Sequence, residues 1–183
     1  MKILRNCLPE YLIDMCRGEF RKRQNEDKTW GISENFWEEG LLEYIPGVSS
    51  QQYINGPLKE KILEELSPYL PKYDEISMQF YNWHRLSGIG RHNDGGYGWG
   101  ATIYLNEKWD INWGGTFIWE DGEGEVLKAI NPSYNTLIIN APEPQYHLVT
   151  MISPLAPETR KTIQIWGGKH NREQNNKYGK NNS

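Results

Sequence analysis

From Ile76 onward the chain is written in short runs of β-branched and aromatic residues, each cut off by Gly, Asn, Asp or Pro. The runs fall at 76–84, 88–94, 100–106, 115–120, 125–130, 135–140, 145–150 and 160–166. Eight short strands at this spacing predict an antiparallel sandwich or barrel. The segment Glu120-Asp121-Gly122-Glu123-Gly124-Glu125 adds an Asp-Gly hairpin signal, and its acids read as a solvated turn.

The first part of the chain has a different period. Pro9 opens a segment with Leu12, Ile13, Cys16 and Phe20 at helical spacing, and Pro suits a first helical turn. A second helix is expected after Asn55-Gly56-Pro57, with Leu58, Ile62, Leu63 and Leu66 on one face and Ser67-Pro68 at its end. Between them, residues 30–55 read as irregular. The expectation is one domain over 1–168: a helical support region, 1–75, and a β core, 76–168. A polar, mobile tail is expected at 169–183. The 8 Trp and 11 Tyr supply large side chains for the core, which argues against disorder along the whole length.

Several functional classes are disfavoured. The net charge is -4 and the one cationic run is Arg21-Lys22-Arg23, so nucleic acid is not expected as a partner. No apolar run approaches the roughly 18 residues that cross a bilayer, and the N-terminus lacks the apolar stretch of a signal peptide. Cys7 and Cys16 are too few for a disulfide scaffold, and no partner pair suggests zinc. A cytoplasmic location follows as the default. Oligomeric state is not legible.

The chemistry concentrates around Arg91-His92-Asn93-Asp94. On a strand, residues i and i+2 share a face, so the imidazole of His92 and the carboxylate of Asp94 can reach one metal ion. His147, on a later candidate strand, can supply a third ligand. Two His and one carboxylate leave three octahedral positions open, as in non-haem Fe(II) oxygenases. A His-x-Asp tripeptide by itself is common, and His92 could equally be a strand-end hydrogen-bonding residue. His84 reads as a strand-edge residue and His170 as part of the tail.

Downstream, Arg160, Thr162, Gln164 and Trp166 alternate with Lys161, Ile163 and Ile165. A guanidinium with a hydroxyl two residues on is a receptor for a carboxylate, which the guanidinium fork binds bidentately. A surface ion pair is the plainer reading of such an Arg. A face shared with Thr162 and Trp166 argues against it.

The order His92-x-Asp94, His147, Arg160-x-Thr162 resembles the prolyl-4-hydroxylase-like branch of the 2-oxoglutarate/Fe(II)-dependent oxygenases. The likeness runs over about residues 76–167. It includes Ile103-Tyr104-Leu105-Asn106 followed by Gly114-Gly115-Thr116-Phe117, which is similar to the family's Tyr-Leu-Asn…Gly-Gly-x-Thr stretch. The hypoxia-sensing prolyl hydroxylases carry a variant of it and place a Trp six residues after the Arg, as Trp166 stands here. The resemblance implies a double-stranded β-helix (jelly-roll, cupin-like) core behind N-terminal helices. It implies His92, Asp94 and His147 as iron ligands and Arg160 on the distal carboxylate of 2-oxoglutarate, with Thr162, Tyr104, Tyr81 and Trp166 as further co-substrate residues. The interval from His147 to Arg160 is a few residues longer than usual, and Ser153-Pro154-Leu155-Ala156-Pro157 is expected to loop out there.

The implied activity is that of a dioxygenase using Fe(II), 2-oxoglutarate and O₂, with ascorbate as a candidate auxiliary reductant. Related halogenases replace the ligand carboxylate with a small residue, so Asp94 favours hydroxylation. The Gly- and aromatic-rich stretch after the ligands, with Tyr97 and Trp99, together with Trp109 and Trp113, is a candidate substrate lid. A peptidyl proline is the leading substrate. A free amino acid or other small metabolite is the alternative; it calls for a further charged pocket, for which Arg85, Arg91, Glu120 and Asp121 are unplaced candidates. A non-catalytic β-barrel binding domain is the reading from outside the enzyme class.

Overall fold

A computed structural model of the chain describes residues 1–26, 31–32, 45–94, 96–121, 126–141 and 145–168. Along them run β1 (Lys2–Arg5), α1 (Glu10–Glu26), β2 (Gly31–Ile32), β3 (Ser49–Tyr53), α2 (Pro57–Leu66), β4 (Ile76–Trp83), β5 (Ile89–His92) and β6 (Trp99–Tyr104). After a 3-10 turn at Ile111–Trp113 come β7 (Phe117–Glu120), β8 (Val126–Ile130), β9 (Thr136–Asn140), β10 (His147–Val149) and β11 (Arg160–Gly167). Among the described residues the fold is mostly β with two α-helices. The tail 169–183, His170, Gly95 and the Gly122–Glu125 part of the expected hairpin lie outside the described residues.

Each of the eight expected strands has its counterpart in β4 to β11, and both expected helices form. The first 75 residues are not wholly helical, however. They also contribute β1, β2 and β3 to the larger sheet. Ser-Ser-Gln-Gln-Tyr, the sequence of β3, lacks apolar alternation and falls in the stretch expected to be irregular. It is extended because the edge of β4 offers it a ladder, from Ser49↔Trp83 to Tyr53↔Gln79. β1 pairs with β9 in the same way, from Lys2↔Ile139 to Arg5↔Thr136.

Two antiparallel sheets result. The larger has the order β1-β9-β6-β11-β4-β3-β2 and the smaller β5-β10-β7-β8. Of the eight strands β4 to β11, the first, third, sixth and eighth enter the larger sheet and the others the smaller.

The larger sheet is covered on both faces. Leu12, Ile13 and Phe20 of α1 and Ile62 and Leu66 of α2 pack on Phe80, Ile103, Leu137, Ile163 and Ile165. Phe20 meets Phe80 edge to face at 5.4 Å. On the opposite face, Tyr81, Trp83, Tyr104 and Ile138 pack with Ile89, Phe117, Ile130 and Val149 of the smaller sheet. Burial on both sides explains why Leu137-Ile138-Ile139 is an unbroken apolar run rather than an alternating one. It also settles the sense of β11: Ile163 and Ile165 face the helices, while Arg160, Thr162 and Trp166 face the space between the sheets.

Local anchors fix the helical side to the sheets. Asn135 holds a left-handed backbone (φ 50°), donates to the Leu8 carbonyl at 2.7 Å and accepts from the Leu8 amide at 3.0 Å. Arg17 of α1 pairs with Glu107 in the β6–β7 connection. Cys7 and Cys16 are free and buried, and burial pushes both thiols up to about 12, so they pack as neutral groups. Among the described residues no helix is long and apolar enough to cross a membrane.

Candidate metal centre

β5 and β10 are neighbours in the smaller sheet, and their antiparallel register sets His92 opposite His147. The imidazole centroids are 4.2 Å apart. Asp94 does not share their strand geometry, as the i, i+2 argument expected. β5 stops at His92, and the carboxylate comes from the following loop. It nonetheless enters the same group. Asp94 Oδ1 lies 3.9 Å from His92 Nε2, and Oδ2 lies 3.7 Å from His147 Nε2. All three candidate donor atoms lie within 4.8 Å of one another.

The rings are oriented from behind. His92 Nδ1 is 2.7 Å from the Gly90 carbonyl oxygen, and His147 Nδ1 is 2.9 Å from that of Gln145. A carbonyl oxygen can only accept, so each ring donates its Nδ1–H there and turns Nε2 toward the other two residues. Burial first and the neighbouring His147 second lower the His92 pKa, against Asp94 and the Gly90 carbonyl, to about 4. The ring is therefore neutral at ordinary pH. Asn140 was not singled out in the sequence. Its Oδ1 accepts from the Gln145 amide at 3.2 Å and its Nδ2 donates to the Gln145 carbonyl at 3.1 Å, which fixes the oxygen that orients His147. Its only sequence signal is a polar residue closing an apolar strand. Two imidazoles and one carboxylate are a donor set suited to Fe(II) with three positions open.

Arg160 begins β11 and is 1% exposed. Its Nη2 is 3.5 Å from the Tyr104 hydroxyl, while Nε and Nη1 have no hydrogen-bond partner. The guanidinium lies 5.0 Å from the Tyr104 ring and 5.9 Å from that of Trp83. Among the described residues no carboxylate pairs with it. Burial lowers its pKa and Tyr104 opposes the shift; burial in turn raises that of Tyr104. Thr162, fully buried, stands opposite Tyr104 across β11 and β6. Gly115, with φ +66°, lies against Arg160; a Cβ there would sit 2.9 Å from Arg160 Cδ. A buried cation with two idle donor nitrogens is a receptor for an anion, and a planar carboxylate matches its fork.

The loop 151–159 is tied in place beside it. Arg85 donates to the carbonyls of Ala156 at 2.6 Å and Pro157 at 2.8 Å. Asn106 accepts from the Lys161 amide at 2.7 Å and donates to the Thr159 carbonyl at 3.0 Å, pinning the start of β11.

No protein-family model matches the chain, and no curated protein does. Solved structures do. A prolyl-4-hydroxylase of Pseudomonas putida superposes with a TM-score of 0.66 at 18% identity, over 93% of this chain and 92% of that one. A Trichoplax adhaerens prolyl hydroxylase, solved with a fragment of the hypoxia inducible factor oxygen degradation domain, gives 0.66 at 16% over 92% and 83%. The viral collagen prolyl hydroxylase of Paramecium bursaria Chlorella virus-1, solved with 2-oxoglutarate, gives 0.60 at 13% over 90% and 93%. The chain has the prolyl-hydroxylase fold.

Within that fold the aromatic residues divide. Trp166 is the centre of one group, 5.8 Å from Tyr81 and stacked on Tyr97 at 5.5 Å; Tyr81 in turn stacks on Trp83. Burial raises the Tyr81 pKa, so its hydroxyl stays protonated. Trp109 and Trp113 form a separate edge-to-face pair, with Trp109 Nε1 donating to the Gly114 carbonyl beside Arg160. The four expected lid residues are thus not one cluster. Trp99 in particular is no lid: it is fully buried in the core beneath the helices, on the face of β6 shared with Ala101 and Ile103. The Gly-rich sequence around it suggested a loop, but β6 starts at Trp99 and strand alternation turns its side chain away from the metal side.

The charged residues left unplaced by sequence are engaged elsewhere. Arg91 makes a 2.8 Å ion pair with Glu120 and covers the Tyr146 ring at 3.9 Å. His84 Nε2 is 2.8 Å from Ser50 Oγ.

Proposed function

We propose that this chain is an Fe(II)- and 2-oxoglutarate-dependent dioxygenase that hydroxylates a prolyl residue in a protein or peptide, acting in the cytoplasm. The carrying observation is the pairing of two features between the same two sheets: the His92–Asp94–His147 group, and an Arg160 buried with no counter-charge among the described residues. Either alone has structural explanations. Together they match a metal ion and an anion that must be held side by side. The order of β4 to β11 across the two sheets supports reading the core as a double-stranded β-helix.

In this reading His92 and His147 present Nε2 and Asp94 its carboxylate, and the three together would hold Fe(II). Arg160 binds the distal carboxylate of 2-oxoglutarate through Nε and Nη1, with the Tyr104 and Thr162 hydroxyls beside it. The bound iron, with 2-oxoglutarate and O₂, supplies the oxidative decarboxylation to succinate and CO₂ and the insertion of one oxygen into a substrate C–H bond; ascorbate is the candidate reductant for idle cycles. Tyr81, Tyr97 and Trp166 exclude water and offer apolar ring faces for a pyrrolidine. Arg85, Arg91 and Glu120, three of the four candidate charges for a free-amino-acid pocket, already have protein partners, which favours a neutral side chain within a peptide.

The test is mass spectrometry after incubation with Fe(II), ascorbate and 2-oxoglutarate, with Pro-containing peptides beside a panel of free amino acids. A +16 peptide product is expected, with stoichiometric succinate. Hydroxylation of a free amino acid with every peptide untouched would transfer the activity to a small-molecule substrate. Absence of Fe(II)-dependent succinate formation would remove the enzyme reading.

A further inference from the structure

The three candidate ligands are not held with equal security. Both histidines sit on paired strands and have Nδ1 fixed by a carbonyl oxygen. Asp94 stands in a loop whose backbone is pinned nearby, the Tyr97 amide donating to the Asp94 carbonyl at 2.8 Å and the Gly98 amide to that of Gly167 at 2.8 Å. Its carboxylate oxygens stand 3.9 Å from His92 Nε2 and 3.7 Å from His147 Nε2, beyond hydrogen-bond distance, so neither ring fixes them. The position of the carboxylate is bounded instead by the surface it rests on.

That surface is β6 at Gly100, whose neighbour across the ladder is Trp166. A Cβ on Gly100 would lie 2.6 Å from Asp94 Oδ2, 3.5 Å from Asp94 Cγ and 3.6 Å from Trp166 Cδ1. We infer that Gly100 is a positioning residue for the metal site: the missing side chain there is what lets the Asp94 carboxylate join His92 and His147. The inference rests on reading those three residues as metal ligands.

Magnitudes support it. A methyl carbon and a carboxylate oxygen need about 3.3–3.5 Å, so an Ala methyl would displace Oδ2 by on the order of 0.8 Å. Ligand distances tolerate about 0.2 Å. Trp166 on the other side stops the methyl from leaning away. The group that yields is the carboxylate, the free end of a loop side chain, while strand β6 needs no unusual backbone at this position. An Ala here should leave the fold intact and spoil the site.

The experiment is Co(II) titration of the metal-free protein by absorption spectroscopy, with the melting temperature of each metal-free variant. For Gly100→Ala we expect a melting temperature at or above that of the unsubstituted chain. We also expect a Co(II) Kd weakened by about 10–100-fold, the range seen when support behind a ligand is lost. The Co(II) spectrum should shift toward that of Asp94→Ala. In the Asp94→Ala background, Gly100→Ala should change the Kd no further, since it acts only through that carboxylate. Unchanged Co(II) affinity in Gly100→Ala, an equal further loss in the Asp94→Ala background, or a chain that no longer folds would each overturn the inference while leaving the metal reading in place. An unsubstituted chain that binds no Co(II) would overturn both.

Discussion

A guanidinium buried among aromatic rings with two idle nitrogens is unfavourable in the protein alone, because desolvation is not repaid by a partner. Arg160→Met should therefore leave the melting temperature of the metal-free, ligand-free protein unchanged or raised. It should weaken 2-oxoglutarate binding by about 2–5 kcal/mol, as loss of one member of a buried charged pair does. Co(II) affinity should stay nearly constant. Thermal melting checks the first and calorimetric titration of each ligand the other two, and equal loss of both ligands would count against the assignment. His92 gives a second prediction at this scale. Its pKa is lowered from 6.5 to about 4, so between those values the unfolded chain takes up a proton that the folded chain refuses. The part of the metal-free protein's stability linked to this ring should thus be full above about pH 6.5, fall as the pH drops toward 4, and change no further below. His92→Gln should flatten that part of a plot of melting temperature against pH.

At the scale of single elements, the turns carry as much of the site as the strands do. Gly114 and Gly115 both have positive φ, +68° and +66°. A Cβ on Gly114 would collide with the Met151 carbonyl oxygen, and one on Gly115 would press on Arg160. Gly115→Ala should cost about 1–2 kcal/mol for the left-handed backbone alone. It should weaken 2-oxoglutarate binding but leave Co(II) binding unaffected. Chemical denaturation and the two titrations would show it. Asn135 closes a different junction, with both polar backbone groups of Leu8 on its side chain. Asn135→Ala leaves them buried and unpartnered, which should cost about 2–4 kcal/mol in chemical denaturation. Asn135→Gly, which relieves only the φ of 50°, should recover a minor part.

Taken whole, the molecule stacks helices, a seven-stranded sheet and a four-stranded sheet, with one core on each face of the middle layer. Because both cores share that sheet, the helical side should not melt separately. Phe20→Ala removes the ring packed on Phe80 in the helix-side core and should cost about 3–5 kcal/mol. It should do so in a single transition seen alike by far-ultraviolet dichroism and Trp fluorescence, with Co(II) affinity unchanged in the folded protein. Two separated transitions would show the helices and the sheets to be independent units.

Local pattern was enough for much of this architecture. Short β-branched and aromatic runs between turn residues located β4 to β11, and the apolar spacing after Pro9 and Pro57 located both helices, because those signals are carried by neighbours in the chain. The alternation Arg160, Thr162, Trp166 against Ile163, Ile165 likewise assigned two faces to β11 before its neighbours were known. What pairing decides could not be read that way. Ser49–Tyr53 became a strand only because β4 offers it an edge, and Trp99 went into the helix-side core because β6 begins one residue before Gly100. His92 and His147 share a site through strand register across 55 positions of sequence, and Asp94 joins them from a loop rather than along a strand. The hydrogen bonds that turn the rings come from Gly90 and Gln145 backbone oxygens, which no side-chain pattern advertises. Residue chemistry told which groups could act; long-range pairing and burial decided which of them meet.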